Sequence, residues 1–145
     1  IKENGYSAMR HKVKKIKFKH GKDANKMLMK KLAVNFLEKG KLTTTKAKAK
    51  ALVSYLEKLL TKAQVESEAN KNVLLKRLGK RALVKRLFKE IGPILKTKKS
   101  GFLKTVNLGQ RFSDGAEVTR VEWTVPVIIE ETKKYASTNK TNKTS

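Results

Sequence analysis

The chain has 145 residues, of which 36 are lysine or arginine and 12 are aspartate or glutamate, so its formal net charge is +24 at pH 7. This length suits one domain with a modest core, and the absence of cysteine excludes disulfides, thiol catalysis and cysteine-ligated zinc. A free protein with this charge repels itself, so the composition predicts a polyanionic partner, and it favours nucleic acid over an anionic membrane surface.

The chain begins with a strongly basic segment. After a polar stretch over residues 1–8, residues 10–22 read RHKVKKIKFKHGK and contain no acid. Val13, Ile16 and Phe18 are too sparse to bury a face unaided, so we expect an N-terminal arm, 1–22, that is disordered alone and ordered by phosphates. A solvated charged tail is the alternative. No apolar or amphipathic arginine-rich pattern predicts a secretory or transit peptide here.

A first helix is predicted over residues 23–39. Asp23 suits its N-cap, and Gly40 suits the position after its last turn. The expected apolar face consists of Leu28, Met29, Leu32, Ala33, Phe36 and Leu37. A short β-prone run over residues 41–44 follows directly and predicts a strand.

The next helix has the clearest pattern in the chain. Thr44 or Thr45 is expected to cap it, with the hydroxyl accepting a hydrogen bond from a backbone N–H. Lys48 and Lys50 are predicted on opposite flanks of its apolar stripe, where their ammonium groups stay free for an anion. That stripe follows i, i+3, i+4 spacing and comprises Ala49, Leu52, Val53, Leu56, Leu59, Leu60 and Ala63.

Two shorter helices are predicted after a polar loop over residues 63–72. Asn70 or Asn72 is expected to cap the first, which is interrupted at Gly79. The second spans residues 81–91 and is predicted to end at Gly92-Pro93. Seven cations lie across these helices with no acid before Glu90: Lys76, Arg77, Lys80, Arg81, Lys85, Arg86 and Lys89. A solvated face is possible, but the missing i+4 acids favour phosphate contact.

The C-terminal part predicts a β-hairpin. Residues 102–108 are β-prone with Phe102, Val106 and Leu108 to one side, and Asp114-Gly115 is a tight-turn signal. Residues 118–127 alternate, with Trp123 expected as a core anchor and Pro126 expected to confine the strand end to a sheet edge. A globular domain over 23–128 and a disordered polar tail over 129–145 are therefore predicted.

No catalytic, cofactor or metal site is indicated. Both histidines, His11 and His20, lie in the basic arm without further metal ligands, and the Gly-Lys pairs lack the rest of a phosphate-binding loop. The acids are scattered and form no pair suited to acid–base catalysis. No run of 18 apolar residues predicts a membrane span. We expect no enzyme, no cofactor and no small-molecule substrate.

Several short motifs carry a family resemblance. They are Met9-Arg10-His11 before the basic arm, Thr44-Thr45 with Lys48-Ala49-Lys50, Glu57-Lys58-Leu59 with Thr61, RLFKEI at 86–91 and Leu108-Gly109. Together they closely resemble bacterial large-subunit ribosomal protein seventeen over roughly residues 9–128. The resemblance implies an α+β fold in which a small three-stranded mixed sheet packs with about four helices, and an N-terminal arm threaded into RNA.

The resemblance also implies a structural protein of a bacterial or organellar large ribosomal subunit, bound to its large rRNA beside other ribosomal proteins. Phosphate contacts of this kind would fix position and leave specificity to RNA shape. A nucleoid-type DNA-binding protein is the alternative, although no helix-turn-helix is evident. The predicted RNA-binding residues are Arg10, His11, Lys12, Lys14, Lys15, Lys17, Lys19, Lys22, Lys30, Lys48, Lys50, Arg77, Arg81, Arg86 and Arg111.

Overall fold

The computed structural model describes residue 18 and residues 21–127. The predicted α+β class is confirmed there: three helices and one composite helix pack against a three-stranded sheet. The elements in order are α1 (Lys22–Lys39), β1 (Lys41–Thr45), α2 (Lys46–Ala63), α3 (Glu68–Leu78), α4 (Arg81–Arg86), a π-helical turn (Leu87–Ile91), α5 (Gly92–Leu95), β2 (Leu103–Gln110) and β3 (Glu117–Trp123). Most of the predicted arm and the predicted tail lie outside the described residues.

Helix α1 ends as predicted but begins slightly earlier. Gly21 occupies the N-cap. Asp23 lies in the first turn, where its carboxylate interacts favourably with the positive end of the helix dipole. Gly40 takes the left-handed conformation with φ 78°, and its N–H donates to the Phe36 carbonyl at 2.7 Å. A residue with a side chain is disfavoured at this φ, so glycine ends the helix here.

Helix α2 presents the predicted stripe to the core. Six of the seven stripe residues are buried, and Val53 packs against the core while half exposed. Thr45 does occupy the N-cap position, but its hydroxyl makes no capping hydrogen bond, so that detail of the prediction is wrong. Thr45 is also the last residue of β1, so the strand passes directly into α2.

Helix α3 begins before the predicted caps. Ser67 is its N-cap, whereas Asn70 lies inside the helix and donates from Nδ2 to the Val65 carbonyl at 2.9 Å. The prediction of Asn70 or Asn72 as cap is therefore wrong, because the polar loop is shorter than its composition suggested. Gly79, at φ 78°, ends α3 as expected.

The composite helix continues through Gly92-Pro93, contrary to the prediction. After α4, one π-helical turn shifts the hydrogen-bond register, and α5 starts with Pro93 in its first turn. A proline has no N–H to lose at that position, so it starts a helical segment without breaking one. The Lys96 N–H closes α5 on the Gly92 carbonyl at 3.1 Å.

The sheet is antiparallel throughout and not mixed. Its order is β1-β3-β2, and β3 runs antiparallel to both neighbours, pairing along β1 from Lys41↔Glu122 to Thr45↔Val118. The hairpin joining β2 to β3 is as predicted. However, a bulge between Asn107 and Gly109 leaves Leu108 exposed, away from the expected apolar side.

Strand β3 is central, which corrects the role assigned to Pro126. The strand ends at Trp123, before the proline, so Pro126 occupies no edge of the sheet. Trp123 is 8% exposed and packs its ring on Phe36 with the centroids 5.0 Å apart, which confirms it as a core anchor. Helix α1 and the sheet are thereby joined in one core.

Candidate nucleic-acid interface

Four cations border one cleft, which we call the α1–α2 cleft. Its volume is about 330 Å³. The floor is formed by Met29, Ala51 and Tyr55 and reaches Phe18, which belongs to the predicted arm. The cations are Lys22, Lys26, Lys58 and Arg77. No carboxylate lines this cleft, so its potential is set by positive charge.

Helical spacing explains why these side chains meet. Lys22, Lys26 and Met29 follow i, i+4, i+7 on α1, and residues 51, 55 and 58 follow the same spacing on α2. Arg77 arrives from the last turn of α3. Each helix therefore turns one face toward the same opening.

Tyr55 links α2 to the end of α3. Its hydroxyl donates to the Arg77 carbonyl at 3.4 Å. Burial raises the pKa of Tyr55 above its ordinary value, while the nearby Arg77 charge acts against that increase. The tyrosine therefore stays protonated at neutral pH, and its one hydroxyl proton makes the contact with the Arg77 carbonyl.

The cleft cations are largely free of acid partners. Lys26 approaches Asp23 at 3.6 Å, but both side chains are more than half exposed, which makes a weak pair. Among the residues that the structure describes, no carboxylate pairs with Lys22, Lys58 or Arg77. These three charges remain available for an external anion.

The predicted RNA-binding residues do not form one surface. Those from Arg10 to Lys17, together with Lys19, lie outside the described residues. Lys22 and Arg77 meet in the α1–α2 cleft, whereas Lys50 lines a hollow between α2 and the sheet. Lys48 is half-buried, on the helix face that also carries Ala51 and Tyr55. Arg81 lies on another side of the helices, described below.

Lys30 has a structural position. A Cβ placed on Gly79 would lie 2.7 Å from Lys30 Nζ, so the ammonium rests against the C-terminal end of α3. Cations are stabilised there by the helix dipole and the free carbonyls. Lys80, next to Gly79, pairs with Glu38 of α1. These contacts fasten α3 to α1, and an RNA contact by Lys30 stays a prediction.

Arg86 is also engaged by the protein itself. Its Nε contacts Glu90 Oε2 at 2.9 Å, and its side chain is only 21% exposed. This acid lies at i+4, the spacing at which opposite charges on a helix meet. The Arg86 guanidinium therefore already has an acid partner on its own helix, although the sequence grouped Arg86 with Arg77 and Arg81.

Arg111 is held within the hairpin turn. Its Nε donates to Asp114 Oδ1 at 2.9 Å, and a second guanidinium nitrogen contacts the other carboxylate oxygen. The Ala116 N–H also donates to Asp114 Oδ1, at 3.2 Å. These contacts lower the pKa of Asp114 from 3.8 to about 2, chiefly through the Arg111 hydrogen bond. Within this turn, Phe112 is fully exposed, a feature that the sequence pattern did not reveal.

The Asp114 carboxyl is expected to titrate near pH 2, and the Arg111→Gln variant is expected to raise that midpoint toward 3.8. Because the folded-state pKa is depressed, the stabilisation from this pair is present above pH 3.8 and is lost as the pH falls through about 2. The carboxyl ¹³C shift measured against pH reports the midpoint. Lys99→Gln, a control that removes one charge outside the hairpin, should leave it unchanged, and equal shifts in both variants would contradict the pairing.

A second opening, which we call the α3–α4 groove, lies between α3 and the composite helix. Its volume is about 730 Å³. The floor contains Leu75, Val84 and Phe88, and Arg81 lies on its rim. The sequence predicted Arg81 as a binding residue, whereas Phe88 appeared there only as part of the RLFKEI motif. In the sequence, the groove could have been recognised from the cations spaced at i, i+4 and i+8 from Arg81.

Two other kinds of site are absent from residue 18 and residues 21–127. No group of three or more histidine and acidic side chains there is suited to hold a metal ion. No helix in that part of the chain is long and apolar enough to cross a membrane.

Comparison with known proteins identifies close relatives. The sequence model of the family described as Ribosomal protein L17 matches residues 28–124. A protein named Large ribosomal subunit protein bL17 from Gemmatimonas aurantiaca is 34% identical over 114 residues, covering 79% of this chain and 97% of that protein. Proteins of the same name from Akkermansia muciniphila and Persephonella marina are each 38% identical, covering 79% of this chain and 84% and 94% of theirs.

Proposed function

This chain belongs to the bacterial ribosomal protein L17 family, and from that premise we propose that it is a structural constituent of the large ribosomal subunit that holds the large rRNA through phosphate contacts. The family is a structural, non-enzymatic component of the ribosome, in agreement with the sequence-based expectation. Neighbouring large-subunit proteins are its other proposed partners, and the ribosome is its proposed location.

The α1–α2 cleft carries this proposal. Lys22, Lys58 and Arg77 come from three different helices, border one opening and have no acid partner among the described residues. Holding like charges together is unfavourable in the free protein, and a polyanion that enters the opening relieves the repulsion. Phosphates neutralised there release their counterions, which adds a favourable, salt-dependent term to the free energy of binding.

The N-terminal arm extends the same surface in this proposal. Phe18 lines the α1–α2 cleft, so the chain before α1 enters the fold at this opening. The predicted contacts of the arm all precede α1 in the sequence: Arg10, His11, Lys12, Lys14, Lys15, Lys17 and Lys19. We propose that RNA bound in the cleft continues along the arm. Lys48 extends the surface along α2.

The triple variant Lys22→Gln, Lys58→Gln, Arg77→Gln tests the proposal. It removes three charges and leaves the core untouched. We expect it to bind purified large-subunit rRNA about tenfold more weakly near physiological salt, and the slope of log K against log[KCl] to become shallower by about 2 to 3. Filter binding of the full chain across a KCl series measures both quantities.

A charge-matched control separates the cleft from overall charge. Lys39→Gln, Lys62→Gln and Lys76→Gln remove three exposed charges from the same three helices but outside the cleft. Equal loss in both triple variants would show that binding follows net charge alone, which contradicts the assignment of the cleft. Duplex DNA that binds as tightly as rRNA at every salt concentration would favour the DNA-binding alternative.

A further inference from the structure

The floor of the α3–α4 groove is apolar and includes an aromatic ring. Leu75 comes from α3, and Val84 and Phe88 come from the composite helix. Val84 is buried, whereas Leu75 and Phe88 are half-buried and keep part of their surface open to the groove. Such a floor suits a flat apolar group, because an aromatic ring offers both area and a face for stacking.

The rim on one side of the groove is positive. Arg81, Lys85 and Lys89 follow each other at i, i+4, i+8 along the composite helix, and all three are exposed. In the described part of the chain, none of the three has a carboxylate partner, although Arg86 on the same helix does. The rim charges therefore remain available for an anionic partner.

The opposite end of the groove offers hydrogen-bond acceptors. Glu66 and Glu68 lie there with Asn72, and Glu68 Oε1 is 3.1 Å from Lys71 Nζ. Carboxylate and amide oxygens accept hydrogen bonds from exocyclic amino groups of bases. The groove thus combines an apolar floor, a cationic side and an accepting end.

We propose that the α3–α4 groove receives one unpaired RNA nucleotide. Its base lies on Phe88 and Leu75, and its flanking phosphates contact Arg81, Lys85 and Lys89. Unstacked bases of single-stranded RNA bind to aromatic side chains in this way, and a base amino group meets the acceptors at the far end. This inference rests on the proposed function and adds a second contact surface that recognises unpaired RNA.

Duplex RNA does not fit the same arrangement. Its bases are paired and stacked, so it presents sugars and phosphates to a protein and leaves no free base face for the floor. Duplex RNA would contact the rim alone. The groove should therefore distinguish single strands from duplexes, whereas a plain basic surface would not.

NMR of the full chain tests this inference. The probes are a cytosine- and adenine-containing single-stranded RNA octamer and the blunt duplex of the same sequence. We expect the octamer to shift the methyl signals of Leu75 and Val84 and the ring signals of Phe88, and the duplex to leave them in place. Phe88→Leu keeps an apolar side chain in the floor and removes stacking, so it should weaken octamer binding about tenfold or more.

A separate pair of substitutions tests the contribution of the rim charges to octamer binding. Arg81→Gln with Lys85→Gln should weaken octamer binding and reduce its salt dependence. Lys39→Gln with Lys62→Gln removes two exposed charges from positions that do not line the groove, and it should have little effect. Equal effects of these two pairs, or equal shifts with octamer and duplex, would overturn the inference. So would groove signals that respond only to other large-subunit proteins.

The outcomes for the two surfaces are separable. If rRNA binding depends on the α1–α2 cleft but the octamer leaves the groove signals unchanged, the inference about the groove fails and the proposed function stands. If the full chain binds neither rRNA nor the octamer at low salt, both fail. Octamer shifts that persist in the cleft triple variant would support the groove as a separate surface.

Discussion

The Phe36→Ala variant is expected to lower the free energy of unfolding by about 3–5 kcal/mol. Phe36 is fully buried, and its ring packs on Trp123 with the centroids 5.0 Å apart. Truncation removes buried apolar surface and leaves a cavity where α1 meets the sheet. Urea denaturation followed by fluorescence measures the loss directly, because Trp123 is the one tryptophan in the sequence.

Met27→Ala is the matched control for this variant. Met27 lies on the same helix but is 52% exposed, so we expect a change within about 0.5 kcal/mol. The emission maximum of Trp123 should also shift to longer wavelength in Phe36→Ala and stay constant in the control. A loss below about 1 kcal/mol for Phe36→Ala, with unchanged emission, would mean that the ring does not anchor α1 to the sheet.

Local patterns predicted the elements well where side-chain chemistry acts within one turn. Gly40 and Gly79 end their helices because both adopt positive φ, and the 3.6-residue period placed the stripe of α2 correctly. The Asp114-Gly115 turn was predicted for the same reason. Each of these features depends on residues that are adjacent in the chain, so the sequence alone contains the information that predicts it.

Features that depend on distant contacts were missed. Gly92-Pro93 was expected to end a helix, but the π-helical turn before it changes the register and α5 follows. The antiparallel pairing of β1 with β3 joins strands from opposite ends of the domain. Neither is encoded in a local period, so pattern and propensity alone could not distinguish them from the alternatives.

The candidate site shows the same division. The sequence predicted Lys22, Arg77 and Arg81 as binding residues, but it could not show that the first two share a cleft and the third lies on a groove. It also treated Lys30, Arg86 and Arg111 as equivalent to them. The structure places Lys30 at the end of α3 and pairs each arginine with an acid. Charge count therefore predicts the partner class, whereas folding determines which charges remain available.

Gly92→Ala is expected to lower the free energy of unfolding by about 2 kcal/mol. An added Cβ would lie 2.6 Å from the Ala63 carbonyl oxygen and 3.2 Å from that of Leu87. The first contact is with the end of α2, so the composite helix must move away from α2 to admit a methyl group. Alanine gains roughly 1 kcal/mol over glycine in an isolated helix, and the clash must exceed that gain.

Gly21→Ser is the control for Gly92→Ala. Gly21 has φ −59° and no atom within 4 Å of an added Cβ, and serine is a favoured N-cap, so stability should hold or rise slightly. Urea denaturation of both variants decides whether helix propensity or the close approach of α2 governs the stability at position 92. If Gly92→Ala is more stable than the parent chain, helix propensity governs the site and α2 does not approach the composite helix this closely. A loss confined to Gly92→Ala identifies the approach of α2 as the reason for glycine at this position.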